Sequence, residues 1–290
     1  MDADPTLLFL PKRATNPSPS ESSFMLRFAA NLTMMYNEVS FLDRFDAAAD
    51  DGFEAVEYLF PYEHGADQIA TRLQRRGLTQ ALFNLPPGNW AAGERGMACM
   101  PERCGEFRQT IATGLSYAQA TGVRNLHIMA GITPTDTNAA VLHRTYIDNL
   151  RLACDLLGEH GITVLVEPIN RRDMPGYYLT HQAQAHEVCA EVARPNIKVQ
   201  MDLYHCQVVE GDLATKIRKH FSGIGHIQIA SVPERHEPDE GEVNYSHLFG
   251  LLETLGYAGY VGCEYRPRQG TSAGLGWWRQ YMRSANALAQ

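Results

Sequence analysis

Residues 145–170 read TYIDNLRLACDLLGEHGITVLVEPIN, and this order of patterns decides the fold. Apolar side chains recur at three- and four-residue spacing through Tyr146, Leu150, Cys154 and Leu157, the signature of an amphipathic helix. Gly161 closes the pattern as a helix C-cap does. Thr163–Glu167 then runs apolar and β-branched without alternating, as a parallel strand covered by helices does, and it ends on an acid. Working outward in both directions, the same unit recurs. Strands are expected at Arg27–Leu32, Ala55–Phe60, Thr79–Asn84, Asn125–Ala130, Thr163–Glu167, Lys198–Asp202, Gly225–Ala230 and Tyr260–Tyr265. Between them lie helical patterns such as FLDRFDAAADDG, DQIATRLQRRG, EFRQTIATGLSYAQATG and HLFGLLETLGYAG, several closing on glycine. Eight strands alternating with helices predict an α/β fold, a single-domain (β/α)₈ TIM barrel. A doubly wound open sheet is the alternative, but no GxGxxG follows the first strand.

The chain has 290 residues, which suits one barrel. Residues 1–24 carry the short apolar group Leu7–Leu10 and then PKRATNPSPSESS. The apolar part is too short for a signal peptide, and the Pro/Ser-rich part reads as disordered. The expected division is a disordered tail over 1–24 and a catalytic domain over 25–290, with Met25 as an alternative start. Net charge is −8, which argues against nucleic acid or an anionic membrane as partner, since both call for a basic surface. A small anionic substrate needs only one local cation. Six cysteines form no CxxC pair, and several sit in apolar runs, which predicts reduced thiols in a cytoplasmic protein. No run of about 18 apolar residues predicts a membrane span.

A barrel enzyme assembles its active site at the carboxyl ends of its strands, so the polar residues that close each apolar run are the informative ones. Strand five ends on Glu167, strand six on Asp202 with His205 three residues on, and strand eight on Glu264. In strand seven His226 and Gln228 are two apart and share a face. An unpaired buried carboxylate is costly, and a divalent cation removes the difficulty. Three carboxylates and an amide oxygen, Glu167, Asp202, Glu264 and Gln228, are a hard oxygen set suited to Mg²⁺ or Mn²⁺. The competing reading is that these acids cap helices or pair with arginine. Asn31 and Asn84 end strands one and three and are candidates to bind substrate hydroxyls. His127, inside strand four, reads as a satisfied core histidine. The loop NLPPGNWAAGERG, with Trp90, Glu94 and Arg95, reads as a lid or a structural loop at the catalytic face. The charged segment SVPERHEPDEGEVNY reads as a solvated run unless Arg235 is functional.

Five of these stretches together carry a family likeness: NLPPGNWAAGERG, VEPINRRDMPGYYLT, HIQIA, ERHEPDEGEVNY and GCEYRP. The sequence resembles the hydroxypyruvate isomerase family, within the xylose-isomerase-like TIM barrels, from about Arg27 to Trp278. The resemblance implies that Glu167 and Glu264 are the two catalytic glutamates and that Asp202 and Gln228 complete a metal site. It also implies substrate binding by His205 and Arg235. NLPPGNWAAGERG and EPINRRDMPG look like the hydroxypyruvate isomerases. NLTMMYNEV, ALFN, HIMAG and YIDNLR look like relatives acting on 2-oxo-tetronates.

The chemistry that the resemblance implies is an aldose–ketose type isomerisation. A glutamate removes a proton beside a ketone, an enediolate forms, and a glutamate returns the proton at the neighbouring carbon. Hydroxypyruvate is the first expected substrate and 2-oxo-tetronate the alternative, with no organic cofactor. Glu94 and Arg95 join the expected substrate-binding residues, and Arg235, Arg95 and Arg266 are the candidates for the substrate carboxylate. A small sugar acid is the expected partner, and assembly into a homo-oligomer is compatible with the chain. Two other classes compete. A barrel nuclease would need more metal-binding histidines and a basic groove, and a non-catalytic sugar-acid-binding protein would not need both glutamates.

Overall fold

The structure, a computed structural model, describes residues 25–136 and 138–288. The expected tail at 1–24 lies outside the described residues. Eight parallel strands close on themselves: β1 (Arg27–Asn31), β2 (Ala55–Glu57), β3 (Thr79–Asn84), β4 (Asn125–His127), β5 (Thr163–Val166), β6 (Ile197–Asp202), β7 (Ile224–Ile229) and β8 (Tyr260–Cys263). β1 pairs with both β2 and β8, so the sheet has no edge and the open-sheet alternative is excluded. The strands begin where expected to within a residue. Several stop earlier, because their last expected residues have already turned into the catalytic-face loops. β2 and β4 differ most, each stopping three residues early, at Glu57 rather than Phe60 and at His127 rather than Ala130, and β2 does so beside a register shift against β3.

The connections carry α1 (Arg44–Asp51), α2 (Ala66–Arg76), α3 (Cys104–Thr121), α4 (Ala139–Gly158), α5 (Gln182–Val192), α6 (Leu203–Val209), α7 (Leu213–His220) and α8 (Tyr245–Thr254), with α9 (Thr271–Gly274) and α10 (Gly276–Leu288) after β8. α4 buries Tyr146, Leu150, Cys154 and Leu157, the stripe legible in the sequence. α2 buries Ile69 and Leu73, one turn apart, and stops at Gly77 with φ 65°, a left-handed cap that a side chain would strain. These stripes pack on the outer face of the barrel and form the main core.

Inside the barrel the side chains change character along the strands. Ala29, Ala55 and Ala81 form a small apolar cluster with Tyr260. Two residues further on, on the same faces, stand Asn31 and Glu57. The interior is therefore apolar toward the amino ends of the strands and polar toward their carboxyl ends. None of the described helices is long and apolar enough to cross a membrane, and all six cysteines are free.

Candidate active site

The polar layer starts at Glu57, which is fully buried. Asn31 donates to it at 3.0 Å, His226 Nε2 lies 2.6 Å from Oε2, and Gln228 Nε2 donates to Oε1 at 2.7 Å. His226 and Gln228 thus share the face that their spacing predicts. Gly262 makes room for this carboxylate, since a Cβ there would sit 2.3 Å from Oε2. Because a carboxylate only accepts, it turns the amide N–H₂ of Gln228 toward itself and the oxygen away. That oxygen accepts from Gln200 Nε2 at 2.6 Å, which leaves it one lone pair.

Above this floor Glu167, Asp202 and Glu264 come together. Arg235, itself buried, bridges two of them, with Nη2 3.4 Å from Asp202 and 3.2 Å from Glu264, and its Nη1 lies 3.5 Å from Asp173. Asp202 also caps α6 by accepting from the Tyr204 backbone N–H at 2.7 Å. The capping and arginine-pairing roles are therefore present for Asp202 and Glu264, but Glu167 Oε1 is buried with no hydrogen-bond partner among the described residues. One guanidinium against three buried carboxyls is too little positive charge, and it shows in their proton affinities. Burial, reinforced by Glu264 and Asp202, holds the Glu167 carboxyl well above the usual range. Burial pushes Glu264 up to about 8 despite Arg235, and raises Asp202 as well. The same carboxylates more than offset the cost of burying Arg235 and hold its charge.

Glu167, Asp202 and His205 offer ligand atoms within 4.8 Å of one another, the one such metal-compatible group among the described residues. Its histidine is set by a neighbour. Asn170 Oδ1 accepts from the Asp173 backbone N–H at 2.8 Å, so its N–H₂ faces His205 Nδ1 at 2.6 Å. That nitrogen must accept, so in the neutral ring the network assigns the proton to Nε2. Burial keeps the ring neutral. Arg235 Nη2, also a donor, approaches Nε2 only to 3.5 Å, so the 2.6 Å contact at Nδ1 decides the tautomer, and Nε2 carries its hydrogen 3.6 Å from Asp202 and 3.8 Å from Glu167 rather than a lone pair for a cation. The surplus of carboxylate charge and the orphaned Glu167 oxygen fit a divalent cation held by the acids, with the Gln228 oxygen beside them.

A stability consequence follows. Glu264 binds its proton up to about pH 8 when folded, against about 4.5 when unfolded. The folded state therefore holds more protons in between, so stability falls as pH rises through that range. Below the ordinary histidine value, His127 and His186, lowered by burial to about 3 and about 4, act in the opposite sense. The carboxyl effect is isolated between about pH 6.5 and 8. Thermal unfolding in EDTA is expected to show stability dropping over that window, and added Mg²⁺ or Mn²⁺ is expected to flatten the drop. A rise with pH in EDTA contradicts this charge assignment.

The model of the Xylose isomerase-like TIM barrel family matches residues 45–281. The chain belongs to this family. Over 258 residues it is 59% identical to a protein of Cupriavidus necator named 2-oxo-tetronate isomerase, covering 89% of this chain and 99% of that one. It is 44% identical over 257 residues to the hydroxypyruvate isomerase of Escherichia coli, covering 89% and 100%. A crystal structure titled AP endonuclease, family 2 from Brucella melitensis superposes with a TM-score of 0.87 at 54% identity, covering 89% and 99%. The isomerase class expected from the sequence is shown by the curated relatives, which align over nearly their whole length.

In this xylose isomerase-like barrel one cavity of about 320 Å³ is lined by Glu167, Gln228, Glu264, His205, Arg235, Asn31, Asn84, Arg95 and Arg266, with Asp202 fully buried against the Arg235 and His205 side chains. Asn31 is the least available of these, since its amide is used by Glu57 and by the Thr33 backbone N–H. Glu94, expected beside the substrate, is not in the lining. It turns back into its own loop, accepting from Asn89 N at 2.6 Å and pairing with Arg103 at 3.0 Å. The reading of His127 as a satisfied core histidine is corrected. It is fully buried and lines the cavity, but neither ring nitrogen has a hydrogen-bond partner among the described residues. The solvated-run reading of 231–245 is corrected too, because Arg235 and Glu237 are both buried and Glu237 holds Arg268 at 2.9 Å. Arg235 sits there with φ 58°, a strained conformation for a non-glycine residue, of the kind functional sites retain.

Sequence reading missed Glu57 in the polar floor and Tyr58, Gln200 and Asp173 in the cavity lining. Glu57 carried the signal used for the other acids, an apolar run closing on a carboxylate. It was hidden because Tyr58-Leu59-Phe60 extends that run. Gln200 stands inside β6, where only the barrel's inward face gives it meaning.

Proposed function

We propose that the chain isomerises small 2-oxo sugar acids, 2-dehydrotetronate in preference to hydroxypyruvate, by moving a proton between adjacent carbons through an enediolate. The observation that carries this reading is a single cavity faced by two buried carboxyls of raised proton affinity, Glu167 and Glu264, among three guanidinium groups. The order of substrates follows the identities, 59% to a relative named for 2-oxo-tetronate against 44% to one named for hydroxypyruvate.

Each step falls to a group in the cavity. A hydrogen beside a ketone is weakly acidic, and a carboxylate whose proton affinity burial has raised is the stronger base for it. Glu167 takes the proton from one carbon, and Glu264 delivers a proton at the next. His205 offers Nε2–H to a substrate oxygen. Arg235 shares its charge among Asp202, Glu264 and Asp173, so the substrate carboxylate is better served elsewhere. Arg95 stacks 3.8 Å over Trp90 and donates to the Trp90 and Glu94 carbonyls, and no carboxylate pairs with it among the described residues. Its charge, with that of Arg266, is left for the acid. Mg²⁺ or Mn²⁺, held by Glu167, Asp202, Glu264 and the Gln228 oxygen, would supply Lewis-acid stabilisation of the enediolate charge. No organic cofactor enters the reading. A cytoplasmic setting goes with the six free cysteines. Net charge −8 speaks against nuclease action of the kind for which the Brucella protein is named.

The test is a panel of 2-dehydrotetronate, hydroxypyruvate and abasic-site DNA with Mg²⁺ or Mn²⁺ added. An extra carbon group filling the pocket is worth about tenfold or more in kcat/KM, and the four-carbon acid is expected to win by that margin. Turnover of neither acid, or cleavage of the DNA, sinks the reading.

A further inference from the structure

We infer that His127 is a third catalytic group, one that carries the hydroxyl proton between the two reacting oxygens while the glutamates handle the proton on carbon. The inference rests on the sugar-acid isomerase reading above.

Isomerising a 2-oxo acid takes two proton movements. One proton leaves carbon and returns to its neighbour. A second must leave the oxygen that becomes the new carbonyl, and the oxygen of the old carbonyl must gain one. Glu167 and Glu264 account for the first movement. The second needs a group that both gives and takes a proton beside the same two atoms.

His127 is placed for it. It closes β4, next to the β5 strand that carries Glu167 at its end, and Nδ1 lies 3.6 Å from Glu167 Oε2. A substrate carbon against the Glu167 carboxylate therefore has its oxygens near this ring. Three neighbouring groups that could compete for this role are committed in part: each already spends the nitrogen, charge or amide that a two-way proton carrier needs. His205 Nδ1 accepts from Asn170, Arg235 is spread over three carboxylates, and the Gln228 amide is bonded to Glu57 and Gln200. Both His127 nitrogens are buried without a partner among the described residues. Such a group costs stability unless something bonds to it, and a ring with two orphaned nitrogens in an active-site wall calls for a ligand. A neutral imidazole offers one donor and one acceptor, and a neutral ring can polarise a carbonyl.

The step balances. In the enediolate one oxygen carries the negative charge and its neighbour a hydrogen. The His127 N–H gives its proton to the charged oxygen, and the hydroxyl proton of the neighbouring oxygen passes to the same nitrogen. One O–H bond forms and one breaks, the ring ends as it began, and the charge has crossed between the oxygens with no electron gained or lost.

The test separates the two proton movements. Wild type, His127→Leu and His127→Gln are each incubated with 2-dehydrotetronate in deuterium oxide with Mn²⁺. Exchange of the carbon-bound hydrogen is then followed beside formation of the isomer. His127→Leu removes an unsatisfied polar group, so it is expected to unfold at no lower temperature than wild type. It is expected to keep exchanging hydrogen at a rate near that of wild type while isomer forms at least about tenfold more slowly, the low side of what a proton-transfer group supplies. His127→Gln, which keeps a donor, is expected to fall between the two. Exchange and isomerisation falling together, or neither changing, overturns the role. A wild type that neither exchanges nor isomerises this acid or hydroxypyruvate overturns the function reading instead, and the inference with it.

Discussion

Glu167→Gln and Glu264→Gln are each expected to lower kcat by at least about 10²-fold, the low end for loss of a general acid or base. Glutamine keeps the size and one oxygen but can neither take nor release the proton. Both side chains are buried and face the same cavity, so water is poorly placed to substitute. Both changes also remove one carboxylate from a cluster whose proton affinities are raised by burial and mutual repulsion. The folded state is therefore expected to be at least as stable as wild type at pH 8, because the charge removed is one that the site holds reluctantly. Metal affinity is expected to drop for each variant, since a neutral amide is the poorer ligand, so turnover is compared at saturating Mn²⁺. Near wild-type kcat there, in either variant, removes that residue from the chemistry.

Arg235→Met is expected to give the largest loss of stability of any single change around the cavity. Methionine replaces most of the buried stem but not the charge, and Asp202 and Glu264 are left without their cation. Removing one partner of a buried ion pair costs about 3–5 kcal/mol, on the order of 10 °C in midpoint for a chain of this size. The loss carries a pH signature. At pH 8 the carboxyls must either stay charged without a partner or take up protons against the solution. At pH 6.5 they take up protons more cheaply, because burial already raises their affinity. Thermal unfolding in EDTA at the two pH values is expected to show the larger destabilisation at pH 8, and saturating Mn²⁺ to recover part of it. An equal loss at both, or none, means that Arg235 does not neutralise this cluster. Activity is expected to fall as well, because Arg235 keeps the two proton-handling glutamates apart in charge.

The barrel was legible in the sequence because its signals are local. A helix stripe such as Tyr146–Leu157, its Gly161 stop and the apolar run of β5 each depend on a few neighbouring residues. Eight repeats of that unit leave few ways to bury every face. The acids closing β5, β6 and β8 were legible for the same reason, since a carboxylate at the end of an apolar run stands out along the chain. Their roles are a different matter, because a role depends on which groups meet across the barrel. Glu57 meets His226 from 169 positions away, and only the closed sheet brings them to 2.6 Å. Glu94 and Arg95 are neighbours in sequence, yet a left-handed turn at Gly88 folds one carboxylate back on its own loop and leaves the guanidinium facing the cavity. His127 looked like core because it lies inside an apolar run, and it is buried. That its nitrogens are left unbonded is a property of everything around it, which no stretch of sequence contains. The sequence by itself therefore determined the architecture and the end of the barrel that carries the site, since hydrophobic periodicity and strand-end polarity act over a few residues. Which carboxylate is free, which histidine nitrogen holds a proton and which arginine is unspent were decided by tertiary structure alone, because hydrogen bonding and desolvation depend on neighbours that the chain brings from far away.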